Sequence, residues 1–474
     1  VERANDYAKL SSFQGKEMTV TRRHFSRASL AALFAAGQAP FIVRAQDARR
    51  FRVVLIGSGW WGSNILNTAL DTGVCDLAAL CDVDERMLAL CCANLAKRGV
   101  APPKLYKDFR ECLASEKPDI ALIATPDHWH ALIMIEACRQ GAHVYVEKPI
   151  SHTILEGRAM VNAAAKYGRV VQVGTHRRAS PHNQSAREFI RSGKLGAIGL
   201  IRCFITYGGG PEKPWRNSEP PKGLDWDFWC GPAPLRHHCG DIQNAWGGGL
   251  HPRGFRNFMD YANGQLGDWG IHWLDQVLWI TDLKHPASCH SAGGRPIRGP
   301  VILTDEEQTS DAPDMQVATW RFAEGPTVTW EHRLFAGNPH EKGENVGVYF
   351  YGQKGVFHLG WTQGWSFYPS NRKEPVIHED AALNQPDGQN IKELFADFLD
   401  AIRTDRKPLC DIESAHRATT LCLLGNISMK LGRSVMWEGE KETTGDPEAD
   451  KLLRRTYRGE WQYPIVPPSE QTVS

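Results

Sequence analysis

A continuous apolar run, FRVVLI (51–56), is followed by the glycine-rich GSGWWG and then by NILNTALDTG, whose apolar residues recur at helical spacing. The same change of period repeats down the chain: DLAALCD (76–82) before DERMLALCCANLAKRG, DIALIATP (119–126) before DHWHALIMIEACRQG, AHVYVEKP (142–149) before ILEGRAMVNAAAKYG, and RVVQVGT (169–175). Short runs apolar on both faces read as buried strands, and the stretches of 3.6 period between them as helices that cover the strands. Such alternation predicts an α/β fold, a parallel, doubly wound Rossmann sheet over residues 46–174.

Beyond residue 175 the pattern changes. LIRCFITYG (200–208), VATWRFAEGPTVTWEHR (317–333) and VGVYFYGQKGVFHLG (346–360) read as strands of an open, mostly antiparallel sheet in an α+β domain spanning 175–380. That domain is expected to carry the substrate pocket and an oligomer face. PWRNSEPPKGLDWDFWCGPAPLRHH (214–238) is a long loop rich in Pro and Trp. Trp215, Trp226, Trp229 and Trp246 could stack on sugar rings, although packing is the commoner use of tryptophan. Two amphipathic helices, IKELFADFLDAIRTDR and AHRATTLCLLGNISMKLGR, mark a C-terminal region over 381–474.

Composition adds a leader to this picture. The net charge of +1 hides a split: residues 1–45 hold seven Lys/Arg against three acids, so the rest of the chain carries −3. No basic block remains to recruit nucleic acid. In TRRHFSRASLAALFAAGQAPFIVRAQ, Arg22-Arg23 with Phe25 precede a modest apolar stretch and the small residues around Val43-Arg44-Ala45. This order resembles a twin-arginine export signal, with Met18 just upstream as a start. Export would place the mature chain in the periplasm. No later stretch is long and apolar enough to span a membrane. Twelve cysteines without a CxxC pair read as buried thiols.

Chemistry enters at the glycine turn. Gly57, Gly59 and Gly62 have the spacing in which a tight turn, a close backbone approach and a helix–strand contact cradle a pyrophosphate, with Ser58, Trp60 and Trp61 beside them. Asp82 follows Gly62 by twenty residues and ends the second strand, the place of a carboxylate that binds a ribose diol and repels a 2′-phosphate. NAD is therefore expected over NADP. Thr125, Pro126, His128 and His130 fall at the C-terminal edge of a strand, where such sheets bind ligands. In GQLGDWGIHWLDQVLWI, Asp268 and His272 are four apart, on one face of a helix, where the histidine could serve as a base and the carboxylate orient it. The bland alternative makes Asp268 a helix cap and His272 a core residue. Asp268, His272 and Asp275 could also share a metal by ligand type.

GSGWWG, ATPDHWH, VEKP and GDWGIHWLD, in that order, resemble the glucose-fructose oxidoreductase/inositol dehydrogenase/rhizopine-catabolism (Gfo/Idh/MocA) family from about residue 50 to about residue 440. The resemblance implies that Lys148 lies beside the nicotinamide and hydrogen-bonds the reacting hydroxyl, with Glu147 in the cofactor set and Pro149 in an unusual turn. It matches Asp268 and His272 to the family's acid/base pair, and argues against a metal. His176 and Arg177 match positions that line the sugar site in relatives, and the two late helices pack back on the first domain. The implied function is an NAD(P)-dependent carbohydrate oxidoreductase. Export adds a condition: outside the cytoplasm no free dinucleotide is at hand, so the cofactor should be tightly held and recycled in the site. Redox-neutral glycoside cleavage through transient C3 oxidation is the alternative, and a non-catalytic sugar- or nucleotide-binding protein the third reading.

Overall fold

The computed structural model describes residues 49–245, 248–337, 341–383 and 389–468. The expected leader and Trp246 lie outside the described residues. Strands β1 (Phe51–Ile56), β2 (Cys75–Cys81), β3 (Lys104–Tyr106), β4 (Ile120–Ile123), β5 (His143–Val146) and β6 (Val171–Val173) form one sheet in the order β3-β2-β1-β4-β5-β6. Every pairing in it is parallel. Helices α1 (Trp60–Asp71), α2 (Glu85–Lys97), α3 (Phe109–Glu116), α4 (His130–Arg139) and α5 (Ile154–Lys166) make the crossovers. Parallel strands need cover on both faces, and β1 and β4 are accordingly apolar and buried at nearly every position. Local signals fix the helix starts. Asp84 accepts the Arg86 amide at 3.0 Å to cap α2, and Thr153 with Glu156 forms a reciprocal capping box on α5.

After α6 (Pro181–Arg191), the chain lays down β7 (Ile198–Thr206), β8 (Trp215–Arg216), the short α7 (Trp226–Cys230), α8 (Ile271–Thr281), β9 (Ser288–Gly294), β10 (Glu307–Gln308), β11 (Met315–Arg321), β12 (Thr327–Arg333), β13 (Val346–Gly352), β14 (Gly355–Gly360), β15 (Trp365–Pro369) and β16 (Ile377–Glu379). The last elements are α9 (Ile391–Thr404), α10 (Ile412–Leu431) and β17 (Val435–Met436). Nine strands make a second sheet, β16-β15-β14-β13-β7-β12-β11-β9-β17, in which β7 and β12 alone run parallel. β8 and β10 pair separately. Burial alternates along β11 and β12, with Trp320 and Trp330 wholly inside. Each such indole contributes roughly 2–3 kcal/mol of apolar burial to holding the sheet face against its helices.

Two features tie this half to the first. Leu394, Phe395 and Phe398 of α9 belong to the Rossmann core, whereas Leu421, Cys422 and Leu424 of α10 belong to the core under the second sheet. Residues 454–466 then run back over the first half, where Tyr457 Oη donates to the buried Glu156 at 2.6 Å and Trp461 packs edge-on to Trp129, centroids 4.8 Å apart. Residues of both halves also come together at the C-terminal edge of the parallel sheet, Ile56, Cys81 and Glu147 at strand ends facing the same space as Asp268, His272 and Trp361, which is where a ligand would sit.

Candidate functional site

A cavity of about 810 Å³ opens at that edge. Its floor is the glycine turn. Gly57 sits at φ +91°, a conformation that excludes side chains with a Cβ, and a Cβ on Gly62 would strike the Gly57 carbonyl oxygen. A Cβ on Gly59 would meet nothing within 4 Å, so the backbone there faces open space at the start of α1. Ser58, Trp60 and Trp61 line the same wall. At the far side Asp82 accepts from the Ser58 amide at 2.7 Å, the Ser58 hydroxyl at 3.0 Å and the Asp84 amide at 3.0 Å. Burial pushes its carboxyl up to about 6, against those hydrogen bonds. Asn64 Nδ2 and Thr125 Oγ1, on residues of the cavity lining, are buried without a hydrogen-bond partner among the described residues. Unpaired polar atoms beside a bare glycine turn and a helix N-terminus suit a dinucleotide.

The opposite end of the cavity holds the reactive groups. Lys148 follows β5, and its bond to Pro149 is cis. Its Nζ donates to Asp268 Oδ1 at 2.8 Å and to the Asp268 carbonyl at 2.9 Å. Arg256 Nε reaches the same Oδ1 at 3.3 Å. Burial opposes the charge on Asp268, but Lys148 and Arg256 outweigh it and hold the carboxyl below its ordinary range. His272 lies one turn further on, 7% exposed, with Nδ1 unpartnered among the described residues. Burial, then Lys148, His176 and Arg177, drive its imidazole well below the usual pKa, so it is neutral across the physiological range.

Asp268 thus orients Lys148, not His272. Residues Leu266–Gly270 form a π-helical turn, and α8 begins only at Ile271. Asp268 and His272 both line the cavity, but the Asp268 carboxylate is taken up by Lys148 and Arg256. The possible metal set also divides, because Asp275 is committed to Arg178 at 2.6 and 2.9 Å.

Other expected residues are split. Pro126, Glu147 and His176 line the cavity. His176 comes within 5.2 Å of His272, ring to ring. His128 and His130, expected at the cofactor, are instead buried structural pins: His128 Nε2 is 3.0 Å from the Trp229 carbonyl oxygen, and His130 lies 2.8 Å from the carbonyl oxygens of both Pro149 and Thr125. Arg177 is stacked 3.4 Å from the Trp361 ring centre, and its guanidinium has no hydrogen-bond partner among the described residues. It supports an aromatic wall instead of lining the cavity. Trp226 and Trp229 are stacked on each other 4.6 Å apart, and of the two Trp229 also lines the cavity.

Three functional candidates escaped the sequence reading. Trp269 and Trp361, edge to face at 5.0 Å, wall the cavity around His272 and offer the apolar faces that sugar C–H surfaces need. Trp269 stands beside Asp268 in GDWG and could have been suspected, whereas Trp361 lies in an unremarked turn after β14. Asp127 is the third. It lines the cavity near Asp268, and burial, then the Asp268 charge, push its carboxyl up to about 7. Its folded value exceeds the unfolded one near 4, so the folded protein holds the extra proton between those values and loses stability as pH rises toward 7. Asp127→Asn should therefore melt a few degrees above wild type at pH 8 in cofactor-free protein, a gain of up to about 3 kcal/mol that narrows toward pH 5. Equal melting curves at pH 8 would show that this carboxyl is not held in the way described.

Comparison with known proteins decides the family. The family model described as oxidoreductase family, NAD-binding Rossmann fold, matches residues 51–175; two C-terminal domain models of the same family match 235–358 and 362–463. The chain belongs to the Gfo/Idh/MocA oxidoreductase family. Among Gfo/Idh/MocA relatives it is 31% identical to the rhizopine catabolism protein MocA of Rhizobium meliloti over 49% of this chain and 57% of that protein. It is 30% identical to the D-glucoside 3-dehydrogenase of Escherichia coli K12 over 35% of this chain and 51% of that one. A glycosyl hydrolase family 109 protein of Shewanella sp. is 30% identical over 24% and 26%. The chain spans about half the length of the first curated relatives it matches. In fold it is similar to a levoglucosan dehydrogenase solved with NADH and L-sorbose, at TM-score 0.62 and 19% identity, covering 82% of this chain and 99% of that one.

Proposed function

We propose that this protein is an NAD-dependent oxidoreductase that removes hydride from the carbon bearing a secondary hydroxyl of a sugar or polyol, as the hydroxyl gives up its proton. The observation that carries the reading is the placement of Lys148, 2.8 Å from Asp268, in a cavity that joins the glycine turn to His272 and the Trp269–Trp361 wall. A nicotinamide bound there supplies the hydride acceptor. The chain's own groups handle the proton and the position. Lys148 Nζ, aimed by Asp268, would donate to the substrate oxygen and stabilise the negative charge that develops as its proton leaves. His272, neutral and with Nδ1 unpartnered, would accept that proton. The cations that keep the imidazole neutral would also make it a transient carrier that passes the proton on. Trp269 and Trp361 would hold the ring by stacking and exclude water.

Retention of the cofactor follows from the twin-arginine leader. Export of a folded, loaded enzyme to the periplasm would leave it no pool of dinucleotide to exchange with, so a second carbonyl or another acceptor would regenerate NAD in place. Asp127 favours a second reading. A carboxyl poised near neutrality in the same cavity could protonate a departing aglycone, as redox-neutral glycoside cleavage requires. The similarity to the family 109 protein runs the same way.

The test is to denature the purified protein, identify any released dinucleotide, and incubate native protein with a panel of pyranosides with and without a keto-sugar or dye acceptor. Acceptor-dependent formation of a keto-sugar is expected. Aglycone release with no acceptor and no net reduced cofactor would replace the first reading with the second.

A further inference from the structure

The geometry points to Arg253 as a cofactor-binding residue that closes over the dinucleotide pyrophosphate from the far side of the cleft, as the central buckle of a belt formed by the segment after β7. This rests on the reading of the cavity as a dinucleotide site. A Rossmann turn offers the phosphates only backbone amides and a helix end on one side. In this chain a second element lies across from them.

The belt is fastened at three points along the cavity. At the ribose end the Glu85 amide donates to the Gly223 carbonyl at 2.9 Å, the Asp225 amide donates to the Val83 carbonyl at 3.0 Å, and Lys107 pairs with Asp225. His251 Nε2 lies 3.5 Å from the buried carboxylate of Asp84, two residues past Asp82. At the reactive end Arg256 joins the Lys148–Asp268 pair at 3.3 Å. Arg253 falls between them. Its guanidinium lies over the Trp60 ring, 4.7 Å from the centre, and Trp60 is the first residue of α1, beside the open face of Gly59. Arg253 is half-buried and lines the cavity.

A planar guanidinium stacked on an indole directs its edge N–H groups in its own plane, toward the rim of the ring. The start of α1 is where the doubly wound fold puts two phosphate charges. An arginine fixed there would add charge-assisted hydrogen bonds opposite the backbone amides, so that the pyrophosphate is gripped from both sides.

The test uses the full-length protein stripped of dinucleotide, with Arg253→Gln and Arg253→Lys. NADH binding is followed by fluorescence, and ADP-ribose and adenosine by calorimetry. Arg253→Gln should weaken NADH and ADP-ribose by a common factor of about 10–100, and Arg253→Lys by less, because charge without the fork recovers part of the contact. Adenosine, which lacks phosphate, should bind as to wild type. Unchanged NADH and ADP-ribose affinities would overturn the assignment, as would an equal loss for adenosine. If Arg253→Gln fails to fold, the lysine variant decides between the same outcomes: a loss shared by NADH and ADP-ribose but absent for adenosine supports the contact, and unchanged affinities overturn it. The two readings fail separately. Wild-type protein isolated without dinucleotide would count against retention while leaving the Arg253 contact testable, and a loaded Arg253→Gln protein would count against the contact alone.

Discussion

Lys148→Ala should reduce turnover by about 10³-fold or more while leaving bound dinucleotide unchanged. The lysine donates to the Asp268 carboxylate at 2.8 Å, closer than Arg256 at 3.3 Å, at the end of the cavity that His272 also lines. Without it, nothing stabilises charge on the substrate oxygen as the proton leaves. Arg256, at 3.3 Å from the same carboxylate, would keep Asp268 ionised, so the loss should fall on kcat more than on folding. The measurement is single-turnover reduction of the bound cofactor by a sugar active with wild type, beside the dinucleotide content of each preparation. Turnover within about threefold of wild type would remove Lys148 from the chemistry. His272→Ala should give a smaller loss of about 10²-fold, and its pH profile separates the roles. Since the surroundings push the imidazole well below its usual pKa, the acid limb of wild-type kcat/KM attributable to it should lie below pH 6.5 and vanish in the variant.

The first half of the molecule was legible because its strands are buried on both faces. FRVVLI and DIALIATP have no polar alternation to mislead, and the glycine spacing, with a carboxylate twenty residues on, specifies its own backbone geometry. Lys148, singled out through its motif, lies in the cavity on the Asp268 carboxylate. Asp268 and His272, four apart, reach the same cavity, but their spacing could not show that Lys148, 120 residues away in sequence, takes up the carboxylate. His128 and His130 were misplaced for a related reason. A polar residue at the end of a strand can as readily satisfy backbone carbonyls of neighbouring loops, and only tertiary contacts tell the two fates apart. Trp361 and Trp269 are 92 positions apart in sequence, so no local pattern could reveal that they share a wall. The long loop hid most. Its tryptophans suggested sugar stacking, yet Trp226 and Trp229 form the core of a segment fastened across the cofactor cleft, and that placement depends on backbone contacts to Val83 and Glu85.

Asp82→Ala should weaken NADH binding by about 10²-fold and narrow or invert the preference over NADPH. The carboxylate is preorganised: Oδ2 holds the Ser58 amide and hydroxyl and Oδ1 holds the Asp84 amide, which orients its remaining lone pairs. Two ribose hydroxyls donating to such an ionised group are each worth about 1.5–3 kcal/mol, enough to account for that factor after the loss of alternative water contacts. The same negative charge would repel a 2′-phosphate, so removing it relieves a penalty on NADPH as it costs affinity for NADH. The sign of the pH dependence follows from burial, which lifts the carboxyl to about 6. Above that value Asp82 is ionised and discrimination is full; as pH falls through 6 the group gains a proton, becomes a poorer acceptor and repels phosphate less. Wild-type protein titrated with NADH and NADPH at pH 8 and pH 5 should therefore show the preference shrinking at the lower pH, while the alanine variant shows none of that change. A ratio of affinities that stays constant in both proteins would mean that another group selects the dinucleotide.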